Sequence, residues 1–253
     1  MDDVSVTFDR LTDVATDAPT LIEGFPGFGL VAAIAVEQIT TQLGLEHHGN
    51  VVSDGFPQIL SYRDGHAQDV IRVYAGGDAD VMTLQSDLAP PPSAFEPLSR
   101  CVREDLAPEF ERAIFLAGAP ARSEDEVGNV EAITTTPDLD AELRECGIDL
   151  AEGAGLVGGV TGALASDCYH TDIPAAVLIV RADPYFPDPG AARAVIENAL
   201  EPLVDFDIDT TELEEQSDQI RRQMEQVAEQ YRQMIEGSGQ ELQSETAQLS
   251  MYQ

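Results

Sequence analysis

A glycine-rich segment near the start of the chain has the spacing of a phosphate-binding loop. Residues 27–32, Gly-Phe-Gly-Leu-Val-Ala, match the pattern G-x-G-x-x-G/A, in which a helix N-terminus holds the pyrophosphate of a dinucleotide. Asp54 follows roughly twenty residues later, where an acid binds the ribose in such folds. The same segment also suits a tight turn from a strand into a buried helix, because Gly24, Gly27 and Gly29 allow close backbone approach and positive φ.

A second glycine-rich segment, residues 153–162, precedes a predicted helix. Its glycines include Gly155, Gly158, Gly159 and Gly162. A phosphate or nucleotide held between the two segments, on a helix N-terminus, would make the protein an α/β enzyme of the ligase or phosphorylase-like kind. We predict instead that both glycine segments are structural, because one loose fingerprint matches many sequences by chance.

The remaining reactive side chains do not have the spacing of a catalytic or metal site. The two histidines at residues 47–48 are adjacent, and adjacent side chains rarely bind one ion together. Within residues 166–170 (SDCYH) the nucleophile and the base lie two positions apart on a helix and do not face each other, so Cys168 is predicted to be a small core residue. Asp183 and Asp188 follow a predicted central strand, where ligands often bind, but they also suit turn and cap roles. We predict no enzyme activity, no cofactor and no metal.

The charge of the chain is its strongest compositional feature. There are 47 acidic residues and 13 basic ones, all of them arginine, for a net charge of −34. Such a chain repels itself unless salt screens it, a composition typical of extreme halophiles, and it is expected to repel nucleic acid. The absence of lysine excludes a P-loop and Schiff-base chemistry.

Length and hydrophobicity predict one globular α/β domain with an appendage. The chain has 253 residues, of which 43% are hydrophobic, enough to build a sizeable core. Its longest apolar runs are too short to span a membrane, and its first residues are acidic and lack the features of a signal peptide. A cytoplasmic protein without a membrane partner is therefore expected. The three cysteines form no C-x-x-C pair, so neither a zinc site nor a disulfide framework is indicated.

Hydrophobic periodicity predicts strands that alternate with helices, and hence a sheet with helices on both faces. Predicted strands include residues 4–8, 20–23, 50–53, 58–62, 70–74, 81–85, 113–116, 130–134 and 175–180. The turn at residues 63–66, which contains Asp-Gly, is predicted to join the strands at 58–62 and 70–74 as a hairpin. Predicted helices cover residues 30–43, 93–105, 137–145, 189–203 and a segment ending near Tyr169. The α/β domain is assigned to residues 1–208.

The character of the sequence changes after residue 208. A helix is predicted over residues 209–236. A heptad seam of mostly apolar residues runs along it in alternating steps of four and three: Leu213, Ser217, Ile220, Met224, Val227, Tyr231 and Met234. This stripe suits packing on the helix's own domain and packing between protomers equally well. Residues 237–253 are predicted to form a flexible tail, since they are polar and rich in glycine and serine up to their last three residues.

Three segments resemble the proteasome assembly chaperone family. These are residues 24–31 (GFPGFGLV), 155–164 (GLVGGVTGAL) and 174–192 (PAAVLIVRADPYFPDPGAA), and their order and spacing are similar to the archaeal branch, which is homologous to the second eukaryotic assembly chaperone. Ala32 departs from the pattern, which has glycine there. The resemblance implies an α/β fold akin to nucleoside phosphorylases, without an established catalytic site, that serves as a protein-binding scaffold.

The sequence ends in the pattern hydrophobic-Tyr-any, as Met251, Tyr252 and Gln253. In proteasome activators and some archaeal assembly chaperones, which this chain resembles, that C-terminal pattern inserts into pockets between α-ring subunits. Tyrosine offers a rigid apolar body with a polar tip, and a free carboxylate can pair with a lysine of the pocket. We therefore predict that a homo-oligomer of this protein binds proteasome α subunits through these residues, the alternative being a frayed tail without a partner.

Overall fold

Fully buried strands form the centre of the sheet. Thr20–Gly24 (TLIEG) and Val81–Ser86 (VMTLQS) are buried along their whole length, as strands covered on both faces must be. The computed structural model describes residues 4–76 and 80–223. These residues contain eleven strands: β1 (Val6–Arg10), β2 (Thr20–Gly24), β3 (Glu46–Ser53), β4 (Ser61–Arg63), β5 (His66–Gln68), β6 (Ile71–Gly76), β7 (Val81–Ser86), β8 (Arg112–Pro120), β9 (Val130–Thr134), β10 (Asp149–Leu150) and β11 (Ala175–Ala182).

Nine of these strands form one mixed sheet in the order β1-β3-β6-β7-β2-β8-β11-β9-β10. The four central strands β7, β2, β8 and β11 run parallel, whereas β1, β3 and β6 are antiparallel to their neighbours on one side and β9 is antiparallel to β11 on the other. The four parallel strands all end at the same edge of the sheet, which we call the carboxyl edge. The loops that follow them therefore lie side by side.

Helices cover both faces of the sheet. They are α1 (Val31–Gln42), α2 (Phe95–Cys101), α3 (Pro137–Glu145), α4 (Gly159–His170), α5 (Pro189–Val195) and α6 (Glu201–Val204). Helix α1 packs with α5, and α2 packs with α4. Helices α1 and α4 lie on opposite faces, as two adjacent residues of β2 show. A Cβ on Gly24 would meet Val36 of α1, whereas Glu23, which points to the other face, accepts a hydrogen bond from Thr161 of α4. The α/β sheet with flanking helices is thus confirmed.

A separate two-stranded hairpin, β4–β5, is anchored beside the end of β7. The buried guanidinium of Arg72 donates to both carboxylate oxygens of Asp87, at 2.6 and 2.8 Å. The same carboxylate accepts a hydrogen bond from the hydroxyl of Ser61. The turn is the predicted Asp64-Gly65, both residues having positive φ, but the pairing was predicted wrongly: β4 pairs with β5, whereas residues 71–76 join the large sheet as β6.

Several predicted helix and strand bounds also shift. The first strand lies at Val6–Arg10 rather than at residues 4–8. The helix predicted at 93–105 is α2 followed by a π turn, Val102–Leu106, and the one predicted at 189–203 is interrupted in the same way at Ile196–Leu200. Hydrophobic spacing does not distinguish a π turn from an α turn when both bury the same apolar residues.

The chain divides into two compact units, Met1–Thr210 and Thr211–Gln253. In the second unit, residues 211–223 are helical; Leu213 is buried, Ser217 and Ile220 are half-buried, and the residues between them are exposed. The other stripe residues, Met224, Val227, Tyr231 and Met234, lie outside the described residues, as does the tail at 237–253 with Met251, Tyr252 and Gln253. The heptad pattern as a whole therefore stays a prediction.

Candidate functional site

The first glycine segment lies at the carboxyl edge, between β2 and α1. A single 3₁₀ turn, Phe28–Leu30, connects the two elements, with Gly29 and Leu30 in the left-handed region at φ of 62° and 52°. The N–H of Leu30 donates to the carbonyl of Gly27 at 3.1 Å, and the N–H of Asp188 donates to the carbonyl of Gly29 at 2.9 Å. The loop is thus fixed both to itself and to the loop that follows β11.

The chain's own packing accounts for two of the three glycines in this segment. A Cβ on Gly24 would lie 2.5 Å from the Cβ of Val36, and one on Gly29 would lie 2.9 Å from the Cβ of Ala182. Outside the segment, Gly118 on β8 leaves room for the carbonyl oxygen of Phe28, which a Cβ there would overlap. Within the segment only Gly27 has open space, since a Cβ there would meet no atom nearer than 3.9 Å. These glycines let a strand, a loop and a helix approach closely.

The geometry does not assemble the dinucleotide site that the fingerprint suggested. Asp54 follows β3, which is separated from β2 by β6 and β7, and its carboxylate accepts the backbone N–H of Ser5 at 3.1 Å. Two intervening strands keep Asp54 away from the loop, so the pairing of Asp54 with the loop was wrong. An acid that does pack against the loop is Asp188, whose Cβ lies 3.6 Å from the position of a Cβ on Gly29, and its carboxylate would repel a phosphate there.

Glu23 links the two glycine segments, and sequence analysis missed it. This last side chain of β2 is fully buried and accepts hydrogen bonds from the N–H of Phe25 at 3.2 Å, from the N–H of Leu116 at 3.3 Å and from the hydroxyl of Thr161 at 3.2 Å. Burial raises the pKa of the Glu23 carboxyl to about 8, so the group is mainly neutral at pH 7. An acid inside an otherwise apolar strand was the available signal.

The second glycine segment leads into α4 and is mostly open. A Cβ on Gly162 would overlap the carbonyl of Val157, whereas Gly155, Gly158 and Gly159 have nothing within 4 Å. Gly158 is the N-cap of α4, and Gly159 has φ of +70°. Packing thus explains Gly162 and backbone conformation explains Gly159. The structure offers no internal reason for glycine at 155 and 158.

The loop at 183–188 is held rigidly by its two aspartates. The Asp183 carboxylate accepts the N–H groups of Tyr185 and Phe186 at 2.8 and 3.0 Å. The Asp188 carboxylate accepts the N–H of Asp183 at 2.8 Å and caps α5 by accepting the N–H of Ala191 at 2.9 Å. The two residues therefore have the turn and cap roles that the sequence predicted.

Apolar side chains are exposed on three neighbouring loops of the carboxyl edge. We call this set the carboxyl-edge patch; its members are Phe28, Leu30, Val127, Tyr185 and Phe186. Clustered exposed apolar residues mark surfaces that bind another molecule. Sequence patterns did not reveal the patch, because its members are far apart in the chain and share no spacing.

The other reactive groups are dispersed. His47 bonds the side-chain oxygen of Asn50 at 2.8 Å, and buried His48 bonds Glu109 at 3.0 Å. Cys168 is a buried core residue, as predicted, and burial raises the pKa of its thiol to about 12. Within residues 4–76 and 80–223, no three His, Cys, Asp or Glu side chains are grouped so as to hold a metal ion. None of the helices in this described part of the chain has the length and hydrophobicity that a membrane span requires.

Comparison with known proteins identifies the family. Residues 21–228 match the profile of the PAC2 family. The chain belongs to the PAC2 family. An uncharacterized protein of Methanocaldococcus jannaschii is 25% identical over 193 residues, which cover 76% of this chain and 79% of the relative.

Solved structures share the fold. PbaA of Pyrococcus furiosus, an archaeal homolog of proteasome-assembly chaperone, superimposes with a TM-score of 0.80 at 22% identity, over 98% of this chain and 100% of that one. PbaB of the same organism, an archaeal proteasome activator, gives 0.76 at 20% identity, over 90% and 100%. At this identity the likeness shows the fold alone. A nucleoside-phosphorylase-like architecture stays a prediction.

Proposed function

We propose that this PAC2-family chain is a non-catalytic, proteasome-assembly-chaperone-like protein that binds proteasome α subunits through Met251, Tyr252 and Gln253. The observation that carries the proposal is the family match over residues 21–228. Folds like that of an assembly-chaperone homolog and of a proteasome activator support it. The hydrophobic-Tyr-any ending supplies docking chemistry, namely an apolar anchor, an aromatic ring with a polar tip and a carboxylate.

The interior of the first unit favours binding over catalysis. The space beside Gly24 and Gly29 is filled by the chain's own side chains, Val36 and Ala182, so these glycines leave no room for a ligand. Glu23 is fully buried and engaged by three hydrogen-bond donors, so no substrate can reach it. Burial keeps the thiols of Cys101 and Cys168 protonated, since it raises both pKa values to about 12.

We further propose that the protein acts as a homo-oligomer through the stripe of its C-terminal helix beyond the buried Leu213, namely Ile220, Met224, Val227 and Tyr231. Several copies would present several tails to one α ring. Linked binding events raise the effective concentration of each tail, so an oligomer binds more tightly than a single weak tail would.

Binding of purified proteasome α subunits in molar KCl tests the tail. Tyr252→Ala should weaken binding at least about tenfold, because it removes the aromatic anchor. One extra residue after Gln253 should do the same, because it displaces the terminal carboxylate from its place in the pocket. Gln253→Ala is the matched control and should bind like the parent, since the last position of the pattern accepts any side chain. Unaltered binding of Tyr252→Ala by interferometry, with an unchanged unfolding midpoint, would refute tail docking.

A further inference from the structure

The carboxyl-edge patch lies wholly in the first unit and shares no residue with the proposed tail site. Its most exposed member is Tyr185, with 84% of its surface accessible, and Phe186 beside it is 45% exposed. Phe28 and Leu30 are each more than one-third exposed, and so is Val127. Large apolar side chains in water are costly when they serve no contact.

Hydrogen bonds between backbones place the three loops next to one another. The carbonyl of Gly29 accepts the N–H of Asp188 at 2.9 Å, which joins the loop of Phe28 and Leu30 to residues 183–188. The N–H of Gly128 donates to the carbonyl of Arg181 at 2.8 Å, and the N–H of Ala121 donates to the carbonyl of Ala182 at 2.9 Å. Residues 121–129, which carry Val127, therefore flank the end of β11.

The aromatic pair is fixed before any partner arrives. The Asp183 carboxylate holds the backbone of both Tyr185 and Phe186, and prolines at 184, 187 and 189 restrict the chain around them. A loop that is already ordered loses little entropy when it binds. Rigid, exposed tyrosine and phenylalanine side chains of this kind are typical of the residues that dominate binding energy at protein interfaces.

Acidic residues outnumber basic ones on the aromatic loop and on the loop that flanks it. Residues 124–126 are Glu-Asp-Glu on the flanking loop, and Asp183 and Asp188 lie in the aromatic loop itself. Against these five carboxylates the two loops carry one arginine, Arg122. Arg181, at the end of β11, is paired with Glu131 at 3.1 Å. The local field is therefore negative.

This charge selects among possible occupants. A second copy of the chain bound patch to patch would bring an identical acidic rim against this one, and nucleic acid or anionic lipid would meet the same repulsion. A protein segment with arginine or lysine beside an apolar side chain matches both features. Its cation can pair with the carboxylates and stack on the face of Tyr185, while its apolar group covers Phe28 and Phe186.

We propose that the carboxyl-edge patch is a second docking surface, which binds a basic, apolar segment of another protein through Tyr185 and Phe186. The surface acts independently of the C-terminal tail. Removal of residues 251–253 should therefore leave it functional, so failure of one proposal is distinguishable from failure of the other.

A fluorescein-labelled peptide that alternates arginine and leucine serves as the probe, with the full-length chain and fluorescence anisotropy as the readout. The Arg–Leu peptide should bind saturably, whereas a Glu–Leu peptide and an Arg–Ser peptide should not. The double variant Tyr185→Ala/Phe186→Ala should weaken binding at least about tenfold. Glu124→Gln/Asp125→Asn should weaken it severalfold, because the rim loses two charges.

Matched controls separate a local site from general attraction to an acidic protein. Tyr169→Ala removes another exposed tyrosine, at the far end of α4, and Asp17→Asn/Glu111→Gln removes two exposed acids at the opposite edge of the sheet; both should bind like the parent. Equal weakening by patch and control variants would overturn the proposal. If Tyr185→Ala/Phe186→Ala instead dissociates an oligomer in sedimentation velocity, the occupant is a second copy and the proposed partner is wrong.

Discussion

Glu23 is an ionisable side chain that is fully buried in the fold, and its protonation is coupled to the free energy of unfolding. Burial raises the pKa of the Glu23 carboxyl to about 8, from an ordinary value of 4.5. Between pH 4.5 and about 8, the folded state therefore keeps the carboxyl proton that the unfolded state has already released. The free energy of unfolding is highest below about pH 4.5 on account of this group, and that contribution is lost as pH rises through about 8.

Glu23→Gln should remove this dependence. Between about pH 5 and 7.5 the unfolding free energy of the parent should fall relative to that of the variant by about 1.4 kcal/mol per pH unit, the slope for one proton. The glutamine has its own constant cost, because its amide cannot accept from both the Phe25 and the Leu116 N–H groups. Denaturant titrations at a series of pH values give the slope free of that offset.

Exposed Glu111→Gln provides the comparison for Glu23→Gln. Its stability curve should run parallel to that of the parent over the same pH range. Parallel curves for Glu23→Gln as well would mean that Glu23 is ionised in the folded protein at neutral pH.

The backbone of the first glycine loop packs directly against the backbone of β8. Gly118 on β8 faces the carbonyl of Phe28, and Gly29 faces Ala182 on β11. Unlike a side chain, a carbonyl cannot rotate out of the way, so this contact fixes both the start of α1 and the position of Phe28 in the carboxyl-edge patch.

Gly118→Ala should destabilise the protein by at least about 2 kcal/mol, because the new methyl group forces the loop away from the sheet. Gly155→Ala is the paired control: a Cβ there meets nothing and φ is not positive, so the change should be neutral or stabilising by about 0.5 kcal/mol. Urea unfolding at a fixed salt concentration measures both. A smaller loss for Gly118→Ala than for Gly155→Ala would contradict the packing explanation of the glycine loop.

The sequence was sufficient to predict elements whose signal is local. The strand at 175–180 and the helices at 30–43 and 137–145 were found because their apolar periodicity is strong, and Asp64-Gly65 identified its turn. The pairing of β4 with β5, the antiparallel flanks of the sheet and the separation of Asp54 from the glycine loop depend on distant segments. The patch was missed for the same reason, since its residues cluster only when the sheet is assembled. Glu23 did have a local signal, an acid within a short apolar strand, but its hydrogen bonds to Leu116 and Thr161 again depend on distant segments.

Charge governs the molecule as a whole. Thirteen arginines cannot neutralise 47 carboxylates, and one arginine, the buried Arg72, is already paired with Asp87. The excess of negative charge repels itself, and this repulsion favours the expanded, unfolded chain.

The unfolding midpoint should rise as KCl is added, with much of the gain reached by about 1 M, where the Debye length is roughly 3 Å. Differential scanning calorimetry with KCl, and with sucrose at matched osmolality, distinguishes screening from a general effect of excluded solute. Sucrose should raise the midpoint much less than the salt does. A midpoint that is flat or falls across the KCl series would contradict the role of self-repulsion.

The position of β2 in the sheet governs when the chain can fold during synthesis. Thr20 pairs with Val81 on one side and with Arg112 on the other, and β8 in turn pairs with β11 at Ala175–Ala182. An early apolar strand thus leaves the ribosome long before its neighbours exist. Such distant pairing slows folding and leaves an aggregation-prone hydrophobic strand exposed on the nascent chain. We therefore expect this fold to be vulnerable to aggregation during its own synthesis.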